Sequence, residues 1–107
     1  MHIPTAKAGQ RYDAIVTAQE IKHPSYAALE PVARALLIEL RSLEQPFQIP
    51  VVSISVREAM RILGVGQRPV ERAFRELEAH GWTEEKRVAG GRRRVVLLKS
   101  PCQAPHG

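Results

Sequence analysis

The sequence predicts an α+β fold that is mostly α, with a helical first half, a pair of short helices joined by a tight turn, and a terminal β-hairpin. Three observations carry this. Apolar residues recur at helical spacing in residues 31–43, 56–63 and 70–77. Glycines stand where two of these runs end, at Gly64 and Gly81. Beyond Trp82 the pattern shifts to short runs rich in Val and Leu on either side of Gly90-Gly91, a hairpin signal. At 107 residues the chain is long enough for one domain with a modest core.

In chain order, residues 1–24 read as an N-terminal extension, flexible at its start, where small and polar residues show no periodicity. Within it, residues 11–17 (RYDAIVT) alternate imperfectly and suggest a short strand, and residues 18–23 suggest a helical turn stopped by Pro24. Ser25 is expected to cap a short helix running to Leu29. The domain proper spans residues 25–99. Its first long helix covers 31–43, opened by Pro31, whose missing N–H costs nothing in a first turn. Val32, Leu36, Leu40 and Leu43 form its apolar stripe, with Ala33 and Leu37 beside them. Residues 45–50 connect it, between prolines, to a short strand at 51–54 that is expected to pair with the terminal hairpin.

Ser55-Val56-Arg57-Glu58 has the form of a capping box, in which Ser55 accepts from the Glu58 backbone and Glu58 reaches back to the Ser55 N–H. The helix it opens runs to Leu63, with Val56, Ala59, Met60 and Leu63 inward. Gly64 ends it in the left-handed conformation, and Val65 tucks under the turn. A second helix follows from Gly66–Gln67 to His80. Val70, Ala73, Phe74 and Leu77 are its buried face, leaving Gln67, Arg68, Glu71, Arg72 and Arg75 outward. In the hairpin over 82–99, strands are expected at 87–89 and 94–98. Trp82 is expected to close the core rather than stack on a base. Residues 100–107 read as a disordered, Pro-containing tail.

The net charge is +5, and its distribution is informative. Residues 1–50 hold five Lys/Arg and five Asp/Glu; residues 51–107 hold eleven and six. All the excess therefore lies in the half with the helix pair and hairpin, as a polyanionic partner requires. The single cysteine, Cys102, cannot form an internal disulfide, which fits a reducing compartment. Four scattered histidines suggest neither a zinc site nor a catalytic dyad. No run approaches the ~18 apolar residues of a membrane span, and no signal-peptide core opens the chain. No nucleophile–base pair, metal cluster or phosphate loop can be assembled, so an enzyme is not expected. A cytoplasmic protein without cofactor or small-molecule effector is.

Gly64, Val65, Val70, Ala73 and Phe74 keep the internal spacing of a helix-turn-helix, and the basic glycine-tipped hairpin supplies a wing. Residues 53–99 resemble the winged helix-turn-helix of bacterial regulators, the GntR type most closely. The resemblance rests on Ser55, Arg57, Glu58, Leu63-Gly64-Val65, Val70, Ala73, Arg75, Leu77-Glu78 and Gly81. It implies contact with DNA by Arg57, by the early residues of the second helix and by the wing glycines. Gly66, Gln67, Pro69 and Glu71 depart from that pattern on the surface that would choose the bases, so the operator is expected to differ. No effector domain is expected after the wing. Residues 23–40 are similar to the helix that precedes such motifs in small winged-helix proteins of phages, plasmids and integrative elements.

The expected function is a sequence-specific double-stranded DNA-binding transcriptional regulator, a repressor acting by operator occupancy as a homodimer on a palindrome. Gln67, Arg68, Glu71, Arg72 and Arg75 would face the groove; Glu71 is expected to orient Arg75, four residues on, more than to accept from cytosine. Ser55, Arg57, Lys86, Arg87, Arg92, Arg93 and Arg94 would hold the backbone, with Gly90 and Gly91 allowing close approach of the wing tip. Three consecutive arginines on a strand alternate faces, so at most two can point to one side. Two alternatives stand beside this: an accessory factor in replication, partition or excision of a mobile element, and a winged-helix protein-interaction module.

Overall fold

The computed structural model describes residues 12–45, 48–86 and 93–102. Among them are five helices and three strands, in the order α1 (Ala18–Ile21), α2 (Pro24–Ala27), α3 (Pro31–Ser42), β1 (Val51–Ser55), α4 (Val56–Leu63), α5 (Gln67–Ala79), β2 (Thr83–Lys86) and β3 (Arg93–Leu98). The class is α+β, with the strands in one antiparallel sheet of order β1-β3-β2. Register runs from Val51↔Leu97 to Ser55↔Arg93 on one side of β3, and from Thr83↔Leu98 to Lys86↔Val95 on the other. The expected pairing of the 51–54 segment with the hairpin is formed.

The apolar stripes converge on one core. α3 buries Ala33, Leu36, Leu37 and Leu40 against α5, which buries Val70, Ala73, Phe74 and Leu77. The alternation of β1 and β3 sends Val52, Ile54, Val96 and Leu98 to the same side. Ala59, buried at the crossing of α4 with α3 and α5, has a side chain small enough for the backbones to approach. Each fully buried leucine contributes about 1.5–3 kcal/mol, so these faces, not local propensity, hold helices this short. Trp82 closes the core: it is fully buried, its Nε1–H donates to the Ser25 carbonyl at 3.2 Å, and its ring meets Tyr26 edge-on at 6.0 Å. No helix among the described residues is long and apolar enough to cross a membrane.

Several expectations are corrected. Residues 12–17 form no strand; the Tyr12 N–H donates to the Ser42 carbonyl at 2.7 Å, and the segment lies along α3 instead of joining the sheet. α2 begins at Pro24, and its cap is His23, whose Nδ1 accepts from the Ser25 N–H at 3.0 Å. Ser25 is therefore inside the helix. Ser55 caps α4 through the Glu58 N–H at 3.0 Å, but the return bond from Glu58 is not made. A complete capping box occurs instead at Thr17 and Glu20, opening α1. Among the described residues the incoming hairpin strand is Thr83–Lys86, where no strand was expected, with Thr83 pairing Leu98 at the end of β3. Residues 87–89 lie outside the described residues.

The two chain ends meet on one buried carboxylate. Glu20, 5% exposed, receives both guanidinium nitrogens of Arg41 at 2.7 and 2.6 Å and the Ser100 hydroxyl at 2.6 Å. Ser100, the first residue of the expected tail, is thus tied to the body, and residues 103–107 lie outside the described residues. These donors, Arg41 foremost, outweigh the burial that opposes them and hold the Glu20 carboxyl down at about 2.

Candidate nucleic-acid interface

The helix pair is built from local signals. Ser55 leaves β1 extended and caps α4, which places Arg57 and Arg61, four residues apart, on its exposed side. Gly64 then takes φ 69° and ψ 31°, and the amides of Gly64 and Val65 both donate to the Met60 carbonyl. The chain turns, Val65 packs on the core, and α5 starts at Gln67. Gly66 caps α5 without a side-chain bond. Pro69 sits in the first turn, where a missing N–H leaves no intrahelical bond unmade.

α5 sorts its polar residues by side. Arg68, Arg72 and Arg75 crown the exposed face opposite Val70, Ala73, Phe74 and Leu77. The glutamates lie on the flanks, and all three are engaged within the protein. Glu76 accepts from the Glu30 N–H at 2.9 Å, at the start of α3. Glu78 accepts from the Glu85 N–H at 2.8 Å, on β2. Glu71 accepts from Gln67 Nε2 at 3.2 Å and lies 3.9 Å from Arg94 Nη2, on β3. The acids thus fasten the helix to α3 and to both hairpin strands, while the arginines point away. Among the described residues, Arg57, Arg61, Arg68 and Arg75 have no carboxylate within ion-pair distance, and Arg72 reaches only Glu30, at 3.7 Å with both side chains more than half exposed.

The hairpin arginines divide between the faces of β3, as strand alternation requires. Arg93 lies on the outer face and is partly engaged: its Nε donates to Ser53 Oγ at 2.8 Å and its Nη2 to the Ser53 carbonyl at 2.9 Å. Arg94 turns inward, where Nη1 donates to Glu85 at 2.6 Å and the guanidinium lies 5.0 Å over the Phe74 ring. Arg94, expected as a backbone contact, has its charge engaged between hairpin and helix. The expected Glu71–Arg75 pair is corrected, since Glu71 faces β3 and Arg75 faces solvent. Lys86 pairs with Glu84 at 2.7 Å and, ahead of Lys99, holds that carboxyl below its ordinary range. Arg87, Gly90, Gly91 and Arg92 lie outside the described residues.

No protein-family model, curated protein or solved structure matches this chain.

Sequence reasoning passed over Arg61. The signal was present, because Arg57 and Arg61 are four apart on a helix whose other face holds Val56, Ala59, Met60 and Leu63. With it, five arginines occupy the exposed sides of two adjoining helices. Planar, permanently charged forks of this kind suit bidentate contact with phosphate oxygens or with the O6/N7 edge of guanine. On the far side of the sheet's end, Tyr12, Asp13, Ile15, Glu44, Pro50 and Lys99 line a cleft of about 630 Å³ around the Glu20 cluster. Its buried carboxylate is already satisfied by Arg41 and Ser100.

Proposed function

We propose that this chain is a winged helix-turn-helix protein that binds double-stranded DNA in a sequence-specific way. α5 enters the major groove, α4 lies across the backbone, and the β2–β3 hairpin is the wing against the flanking backbone. The observation that carries this reading is the division of labour on α5: its three glutamates are bound within the protein while its arginines are left outward, beside Arg57 and Arg61 of α4. The acidic groups that would repel phosphate are drawn to the flanks. The one-sided charge of residues 51–107 agrees with this.

The role that follows is regulation by occupancy: a homodimer on a palindromic operator, its two α5 helices reaching half-sites one helical turn apart, blocking transcription from the site it covers. The test is fluorescence anisotropy on a mixed-sequence duplex across a salt series, followed by selection from a randomised duplex library. With roughly five phosphates neutralised, affinity falls by about two to three orders of magnitude between 50 and 200 mM salt. The selected site shows twofold symmetry. Absence of salt-dependent duplex binding refutes the proposal and favours a protein-interaction module.

A further inference from the structure

We infer that Arg94 and Glu71 are positioning residues that hold Gln67 as an adenine reader at the leading end of α5. This rests on the duplex-DNA reading above and names the base that the first residue of the helix selects. Four contacts tie the sheet and the core to that residue. Arg94, on β3, is anchored by Glu85 at 2.6 Å and by the face of Phe74 at 5.0 Å. Its second terminal nitrogen lies 3.9 Å from Glu71 Oε1. The same Glu71 oxygen accepts from Gln67 Nε2 at 3.2 Å.

The consequence for Gln67 is geometric. A glutamine amide has two N–H donors and one carbonyl acceptor. Glu71 takes one N–H and so fixes the amide plane, which a freely rotating exposed side chain would have to order upon binding. With the N–H anti to the carbonyl given to Glu71, the second N–H and the carbonyl stand side by side on an exposed residue at the start of α5. Adenine presents an N7 acceptor and an N6 donor in the major groove, the complement of that pair. Guanine presents two acceptors there, thymine an acceptor and a methyl group, and cytosine a donor; none matches both groups. Arg94, shared between Glu85 and Glu71, offsets part of the Glu71 charge and so reduces its repulsion of phosphate near the groove. Its role is to hold Glu71, and through it Gln67, and not to touch DNA.

The experiment is selection from a randomised duplex library by the wild type, Gln67→Ala, Glu71→Ala and Arg94→Lys, each first shown by circular dichroism to melt cooperatively. The wild type enriches adenine at one position in each half-site by about tenfold to a hundredfold over other bases. Gln67→Ala flattens that position alone. Glu71→Ala and Arg94→Lys weaken the preference there by about threefold to tenfold and leave the other positions sharp, and Gln67→Ala combined with Glu71→Ala adds nothing further. Full adenine preference in both Glu71→Ala and Arg94→Lys overturns the inference, as does a loss at a position that Gln67→Ala leaves unchanged. Because Glu71 is a partly exposed surface residue, its variant remains decisive if Arg94→Lys fails to fold. A wild type that binds duplex but selects no motif refutes sequence reading as a whole, an outcome distinct from a motif unaffected by Glu71.

Discussion

Arg41, near the end of α3, donates to both oxygens of Glu20 and to the Ile15 carbonyl, and its guanidinium lies 5.6 Å from the Trp82 ring centre. Arg75, on the exposed side of α5, has no such partner among the described residues. The same side chain serves two purposes, and geometry separates them. Around Glu20, charge is sequestered to fasten residues 12–21 and Ser100 onto the body; on α4 and α5 it is left unneutralised. The first arrangement is rigid and sensitive to acid. The second contributes little to stability, and its free charge is available to a partner. Substitutions can therefore damage folding without touching the arginine face, or the reverse.

The largest effect expected is at Glu20. Glu20→Ala leaves Arg41 nearly buried without its counter-charge and removes the second half of the α1 capping box, at a cost of about 3–5 kcal/mol in urea unfolding. The same pair sets the response to acid. The Glu20 carboxyl is lowered from 4.5 to about 2 on folding, so its contribution is complete above about 4.5 and is lost as the pH falls toward 2. That contribution is on the order of 3 kcal/mol. Wild type should lose stability across that window, and Glu20→Gln should show a flatter profile there. An unchanged acid limb in Glu20→Gln would mean that other carboxylates govern it.

On the arginine face the pattern should reverse. Arg72→Ala removes only a 3.7 Å exposed pair with Glu30, so its unfolding free energy stays within about 0.5 kcal/mol of wild type. Its affinity for a selected duplex should nevertheless drop by about 1–3 kcal/mol, with the preference lost at one base position. Loss of stability equal to the loss of affinity would show that Arg72 is part of the scaffold, and the contrast between the two regions would fail.

How far these regions were legible in the sequence follows from how far apart their partners lie. The segment 55–81 is specified by neighbours: Ser55 caps Glu58, Gly64 bonds back to Met60, and the apolar spacing of α5 is its own record. The Glu20 cluster joins positions 20, 41 and 100, and nothing near Glu20 in sequence names either partner. Residues 11–17 misled because alternation shows only that a segment can form a strand, while a strand also needs a free sheet edge. The strand at Thr83–Lys86 was not legible for a similar reason, since its register is set by Leu98 rather than by its own residues. The surroundings of Arg94 were not legible because strand alternation allows two faces and cannot say which one meets Glu71 and Phe74.

Between these extremes lies the turn that joins α4 to α5. Gly64 has φ 69°, and a methyl group added there would meet nothing within 4 Å. The cost of Gly64→Ala is therefore conformational, about 1 kcal/mol, and Gly64→Asn should recover part of it because asparagine tolerates the left-handed region. Thermal melts of the pair check this. Because the added methyl group meets nothing, the turn keeps its path, and DNA affinity should fall with Gly64→Ala by no more than the stability loss explains. A larger fall would make the turn a determinant of docking as well as of folding.

The smallest effect on folding, and the sharpest separation of the two regions, is expected at Arg61. It is exposed on α4 with no ion-pair partner among the described residues, so Arg61→Ala should leave unfolding unchanged within about 0.5 kcal/mol. If Arg61 holds a phosphate, the variant should bind every duplex more weakly and reduce the slope of log affinity against log salt by about 0.9, with base preferences intact. Arg57→Ala should do the same, and the double variant should lower the slope by about twice as much, since each releases its own counterion. An unchanged slope for Arg61→Ala, beside a reduced one for Arg57→Ala, would place the edge of the footprint between these two residues on α4.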